Sequence, residues 1–143
     1  MSFLRSLDIS ASALTAQRTR MDIIAQNIAN ADTYKTESGE TYQRQLVVFQ
    51  EKKTFASYLT ENKVKRNLSG VKITQVIKDE APATPVYEPD NPAADENGYI
   101  YMPNVDKTKE AIDAMAASNS YNANVTALNA MKAMANKALE IGK

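Results

Sequence analysis

Near the start of the chain, Leu4, Leu7, Ala11, Leu14, Arg18, Met21, Ala25 and Ile28 recur at alternating steps of three and four. That spacing draws one stripe along an α-helix, and Arg18 alone interrupts its apolar character. No Gly or Pro lies between Leu4 and Ile28. The spacing therefore predicts a helix about 37 Å long at roughly 1.5 Å per residue, which must bury its stripe against a partner. The helix should fade over 28–32, where Asn30 and Asp32 favour caps and turns over helix interiors.

Beyond it the period changes. Residues 34–40 are polar, carry Gly39, and read as a loop. Two runs rich in β-branched and aromatic residues follow, 42–51 around Leu46, Val47, Val48 and Phe49, and 70–77. In the second, Val71, Ile73 and Ile77 alternate with Lys72, Thr74 and Lys78, which predicts a half-buried strand. All five prolines, Pro82, Pro85, Pro89, Pro92 and Pro103, then exclude helix and predict extended chain or turns over a surface. Residues 95–98 give a tight turn into a short strand at 99–101.

After Pro103 helix formers dominate as far as Ile141, with Asn104 as the expected N-cap and Gly142 as the stop. Tyr121, Val125, Leu128, Lys132, Ala135 and Leu139 step by four and three, widened by Met131, Met134, Ala138 and Ile141. This is the partner the first helix needs. The expected fold class is α+β: long N- and C-terminal helices paired as an antiparallel coiled coil around a small β-rich middle insert. The expected division is 1–32, 33–104 and 105–143, forming one composite domain.

Composition sharpens this picture. The chain is 43% hydrophobic, but only 7% aromatic and without Trp, so its core is thin. Ala11, Arg18, Ala25, Asn122 and Asn129 on or beside the seams bury little, which points to helices marginal alone and ordered by many neighbours. The 17 basic and 17 acidic residues cancel, so no field favours nucleic acid or an anionic membrane. Cysteine and histidine are both absent, which removes disulfides, thiolate nucleophiles, the commonest metal ligand and the usual neutral-pH proton carrier.

The remaining chemistry is weak. With Gly98 at position six of a calcium loop, the terminal positions would be Ala93 and Asn104 instead of carboxylates. Asn67 and Asn124 open chance glycosylation sequons, and Lys52, Lys53, Lys63, Lys65 and Arg66 read as solvated basic clusters. Nothing in the sequence sets two of Glu80, Glu88, Asp90 and Asp95 at a working separation for acid–base catalysis. No catalytic, cofactor-binding or metal-binding residue is assigned, and no cofactor is expected. The charged N-terminus does not read as a cleavable secretory signal, and no stretch reaches the roughly 20 apolar residues of a membrane span.

Two stretches carry a resemblance. Residues 12–18 (Ser-Ala-Leu-Thr-Ala-Gln-Arg) and 23–33 (Ile-Ile-Ala-Gln-Asn-Ile-Ala-Asn-Ala-Asp-Thr) resemble the N-terminal signature of bacterial flagellar rod and hook axial proteins. Residues 86–99 with 102–105, and the terminal helix around 117–125 and 139–143, resemble the proximal-rod members of that family. Asn119 departs from the Arg or Lys usual in the family. The signature positions are Asn27, Asn30, Ala31, Pro89, Pro92, Gly98, Pro103, Asn104 and Asn124.

The resemblance implies a structural protein of the flagellar basal-body rod, exported through the flagellar type III apparatus and assembled across the periplasm. It implies contacts with copies of itself, other rod proteins, rod-base and export-apparatus proteins, with peptidoglycan as a further contact, and no membrane insertion. The tube-forming role falls on the two seams, Leu4 to Ile28 as given above and Tyr121, Val125, Leu128, Met131, Ala135 and Leu139. The competing reading is a soluble coiled-coil adaptor or export chaperone using the same stripes; an enzyme ranks last.

Overall fold

The computed structural model describes residues 3–36, 39–52 and 70–141. Its elements run α1 (Phe3–Ala29), β1 (Gln45–Glu51), β2 (Val71–Lys78), β3 (Thr84–Tyr87), β4 (Tyr99–Met102) and α2 (Lys107–Ile141). At about 1.5 Å per residue, the 27 residues of α1 span roughly 40 Å and the 35 of α2 roughly 52 Å. The helices lie antiparallel: Lys107 at the start of α2 pairs with Asp32 just past α1 at 2.7 Å, and Glu110 with Asn27 at 3.0 Å. This is the α+β arrangement of paired terminal helices around a β-rich middle that the sequence predicts.

α1 stops where Asn30 takes over the bonding. Its amide N–H and its Nδ2 both donate to the Gln26 carbonyl, at 3.0 and 2.9 Å, which satisfies an orphan acceptor of the last turn. α2 starts two residues later than expected. Asp106 is its N-cap, with Oδ1 accepting from Thr108 N at 2.8 Å and Lys109 N at 3.2 Å. Asn104 has no capping role; its side chain accepts from Arg44 N and donates to the carbonyls of Asp79 and Ala81. The expected stop at Gly142 lies outside the described residues, as do Lys53, Lys63, Lys65, Arg66 and Asn67.

The middle forms two separate antiparallel pairs, β1–β2 and β3–β4. β3 was not expected among the prolines. Pro85 sits within it, opposite Tyr101, and a two-stranded sheet has free edges where a missing N–H costs no ladder bond. In β1–β2, Val48 pairs with Gln75 and Phe49 with Ile73, so Thr74 is an extra residue. The bulge reverses the alternation beyond it. Val71 and Ile73 stay half-buried, but Ile77 falls on the opposite face beside Leu46 and is exposed, contrary to the strand pattern.

Apart from Pro103, the buried apolar side chains among the described residues are Ala16, Ile24, Ala31, Ile100 and Ala117. Three are alanines, so the helices approach closely while removing little apolar area from water. The β1–β2 hairpin docks on α1 at a second point. Ser12 Oγ accepts from Val71 N at 3.0 Å while donating to the Ile9 carbonyl at 2.7 Å. Gly70 makes this approach possible: its φ is +92°, and a Cβ there would stand 2.3 Å from Ser12 Oγ.

Candidate functional site

Where α1, α2 and β1 meet, polar side chains replace an apolar core. Asn27 projects from the last turn of α1 and is 1% exposed. Its Nδ2 donates to the Gln45 carbonyl at 2.9 Å and to Glu110 Oε2 at 3.0 Å. Its Oδ1 accepts from Gln45 N and from the Tyr42 hydroxyl, each at 2.9 Å. All four amide bonds are made, so one side chain pins helix, helix and strand together.

Glu110 is the anionic centre of this node, 1% exposed in the first turn of α2. Its Oε1 takes Arg44 Nε and Nη2, both at 2.6 Å. Arg44 is 12% exposed and reaches two further carboxylates, Asp113 at 3.4 Å and Asp79 at 3.6 Å; Asp113 in turn holds Arg20 of α1 at 3.1 Å. The charges are thus chained from α1 through α2 to the strand, which is what a buried carboxylate requires. Burial pushes the Tyr42 phenol above its ordinary value, and the Glu110 carboxylate pushes it further the same way. Tyr42 is therefore held neutral as a donor. A cavity of about 310 Å³ adjoins the node, with Ile23, Ile24 and Phe49 as apolar walls.

The signature positions divide among several tasks. Asn27 builds the node and Asn30 closes α1, while Ala31 and Pro103 are buried beside them. Asn104 ties Arg44 to the chain leaving β2. Gly98, at φ +79°, closes the β3–β4 turn against Tyr87 and Pro89, where a Cβ would meet them at 3.0 and 3.3 Å. Asp95 Oδ1 accepts from Asn97 N and Tyr99 N, both at 2.9 Å, so the acidic turn serves its own backbone. Pro92 is exposed beside Tyr34 and Thr36, and Asn124 donates within α2 to the Ser120 carbonyl at 2.8 Å.

The seam residues lie differently on the two helices. On α2, Tyr121, Val125, Leu128, Met131 and Ala135 are half-buried and Leu139 is 72% exposed. On α1, Leu7, Leu14 and Met21 are half-buried, whereas Leu4, Ala11, Arg18, Ala25 and Ile28 are exposed. The face of α1 that is buried carries Ser10, Ala16, Ile24 and Asn27. Five of the eight stripe positions on α1 are therefore exposed. Periodicity did not reveal Glu110, Arg44, Tyr42 or Asp113; only Asn27 was marked, through the resemblance.

Known proteins share this organisation at the level of sequence. Residues 7–34 match the family described as "Flagella basal body rod protein", and residues 96–141 match "Flagellar basal body rod FlgEFG protein C-terminal". A Bacillus subtilis protein called flagellar basal-body rod protein FlgC is 44% identical over 150 residues, covering all of both chains. The chain belongs to the flagellar basal-body rod protein family. Similar proteins of the same printed name occur in Salmonella typhimurium, 42% identical over 143 residues and the whole of both chains, and in Borreliella burgdorferi, 34% identical over 152 residues covering 99% of this chain and 98% of that one. The two matched segments cover α1 from Leu7 onward and the whole of α2, so the node joins family segments far apart in sequence: Asn27 comes from the first, Glu110 and Asp113 from the second, and Tyr42 and Arg44 from between them.

Proposed function

We propose that this chain, a structural component of the flagellar basal-body rod by family, polymerises through its terminal helices as part of the proximal rod. The supporting observation is the uncovered stripe on α1, where Leu4 is 69% exposed and Ala11, Ala25 and Ile28 also face outward. A repeating contact that does not close on itself generates a filament or tube. The chain acts by contact with other rod components and not by chemistry. Its place is the flagellar basal body; export through the flagellar type III apparatus, the crossing of the periplasm, and contacts with rod-base proteins, the export apparatus and peptidoglycan belong to the same reading. In this reading the helices at 1–32 and 105–143 build the tube and 33–104 forms the outward part.

Ala25→Asp tests it. The site is exposed on α1, so the circular dichroism of the monomer should match wild type, while motility and rod assembly should be lost because the charge would be buried unpaired at each contact. Normal rods and normal swimming in that variant would sink the reading. A stable small oligomer of the purified wild type, with no polymer, would favour the adaptor or chaperone instead.

A further inference from the structure

A groove of about 520 Å³ runs between the N-terminal half of α1 and β2, floored by Ala16, Val71 and Ile73 and rimmed by Lys52 and Lys72. Both lysines are exposed, and among the described residues neither ammonium has an ion-pair partner. At the other end of the molecule, the close of α2 carries the opposite features. Leu139 and Ile141 are 72% and 86% exposed, and no basic residue lies in the last turn to offset the negative end of the helix dipole. Glu140 adds a negative charge, held only by an exposed contact to Lys137 at 2.7 Å, which is worth little in water.

The lengths fit these ends together. Asn27 and Glu110 are level; counting from them at about 1.5 Å per residue, Phe3 lies roughly 36 Å along the pair and Ile141 roughly 46 Å. The last turns of α2 therefore overhang the start of α1. The level of Ala16 is about 16 Å, so tip and groove are separated by about 30 Å along the axis and cannot meet within one chain.

We propose that this groove receives the last turns of α2 from a second copy of this chain, displaced by about 30 Å along the helix pair. Leu139 and Ile141 enter the apolar floor, and Lys52 and Lys72 meet Glu140 and the terminal carbonyls. The contact is heterologous, so each copy offers one tip and one groove and the interaction repeats. It rests on the polymerising role proposed above and names one of the surfaces that carry it.

The chain has no cysteine, so an introduced pair reports cleanly. In rods assembled from Thr15→Cys/Ile141→Cys protein, oxidation should give covalent ladders beyond the dimer, and neither single variant should. Intact rods without ladders overturn the groove while leaving the polymerising role standing. Loss of rods in Ala25→Asp is the separate test of that role. Should the cysteine pair itself fail to assemble, charge exchange decides: Lys72→Glu and Glu140→Lys should each lower assembly, by up to about fivefold for a rim ion pair, and the double exchange should restore it. Unchanged assembly in both singles, or no recovery in the double, overturns the proposal.

Discussion

Replacing Glu110 by Ala tests the polar node directly. The change removes both oxygens that receive Arg44 at 2.6 Å and Asn27 at 3.0 Å, and leaves a guanidinium that is 12% exposed without its principal partner. Breaking a buried pair costs about 3–5 kcal/mol, because the surviving charge is left uncompensated. Two features pull the expectation to the lower end: Asp113 still stands 3.4 Å from Arg44, and Asn27 Nδ2 keeps the Gln45 carbonyl at 2.9 Å. We expect about 3 kcal/mol, roughly two decades in the folding equilibrium and a large share of the ~5–15 kcal/mol typical of a domain. Glu110→Gln should cost less, because it keeps the shape. Its amide still offers one oxygen, but whichever of Arg44 and Asn27 does not receive it faces an N–H donor. Urea unfolding of the monomer, followed by helical circular dichroism, measures both. A double-mutant cycle with Arg44→Ala should return a coupling of at least ~1 kcal/mol. Stability within ~0.5 kcal/mol of wild type for Glu110→Ala, or additive single effects, would refute the reasoning.

Two further outcomes follow from the same geometry. Gly70→Ala should release the β1–β2 hairpin from α1, since the new Cβ meets Ser12 Oγ and φ is +92°; we expect ~1–3 kcal/mol, against ~1 kcal/mol for Ser12→Ala, with faster hydrogen exchange at Val71 N in both variants, and exchange as slow as in wild type in either would count against the contact. Tyr42 has a folded-state pKa raised above the ordinary 10.0, so the neutral phenol's contribution is present below about pH 10 and is lost as pH rises through the raised value. Tyr42 should ionise late in a tyrosinate absorbance titration, and Tyr42→Phe should remove that late phase; an unchanged curve would show that Tyr42 is not shielded.

The helices were legible because their signal is local. Steps of three and four, the absence of Gly and Pro, and the clustering of all five prolines mark where α1 begins and ends and where α2 begins to within a few residues. Two departures in the middle have plain causes. Pro85 argues against a strand only where both edges are paired, and β3 has a free edge; Ile77 keeps its alternation until the extra Thr74 reverses it. The node escaped for a different reason. Asn27 and Glu110 are 83 residues apart, and a polar pairing of that range leaves no period in the chain. Glu110 reads in isolation as an ordinary acidic residue of a helix first turn, and Arg44 as a polar position early in the run 42–51. The capping exchange between Asn104 and Asp106 is of the same kind: both residue types suit an N-cap, and only the carbonyls of Asp79 and Ala81 decide which one is already engaged.

Since Asn27 bonds to α2 and to β1 with the two ends of one amide, helix register and strand direction are not separate adjustments in this molecule. Sliding α2 by one turn, about 5.4 Å, would take Glu110 from Asn27 and from Arg44, the residue that leads into β1. The bearing of β1 is thus set at its root: Gln45, its first residue, is held at both its N–H and its carbonyl by the side chain that also fixes the level of α2, so the strands and the helices turn on one pin.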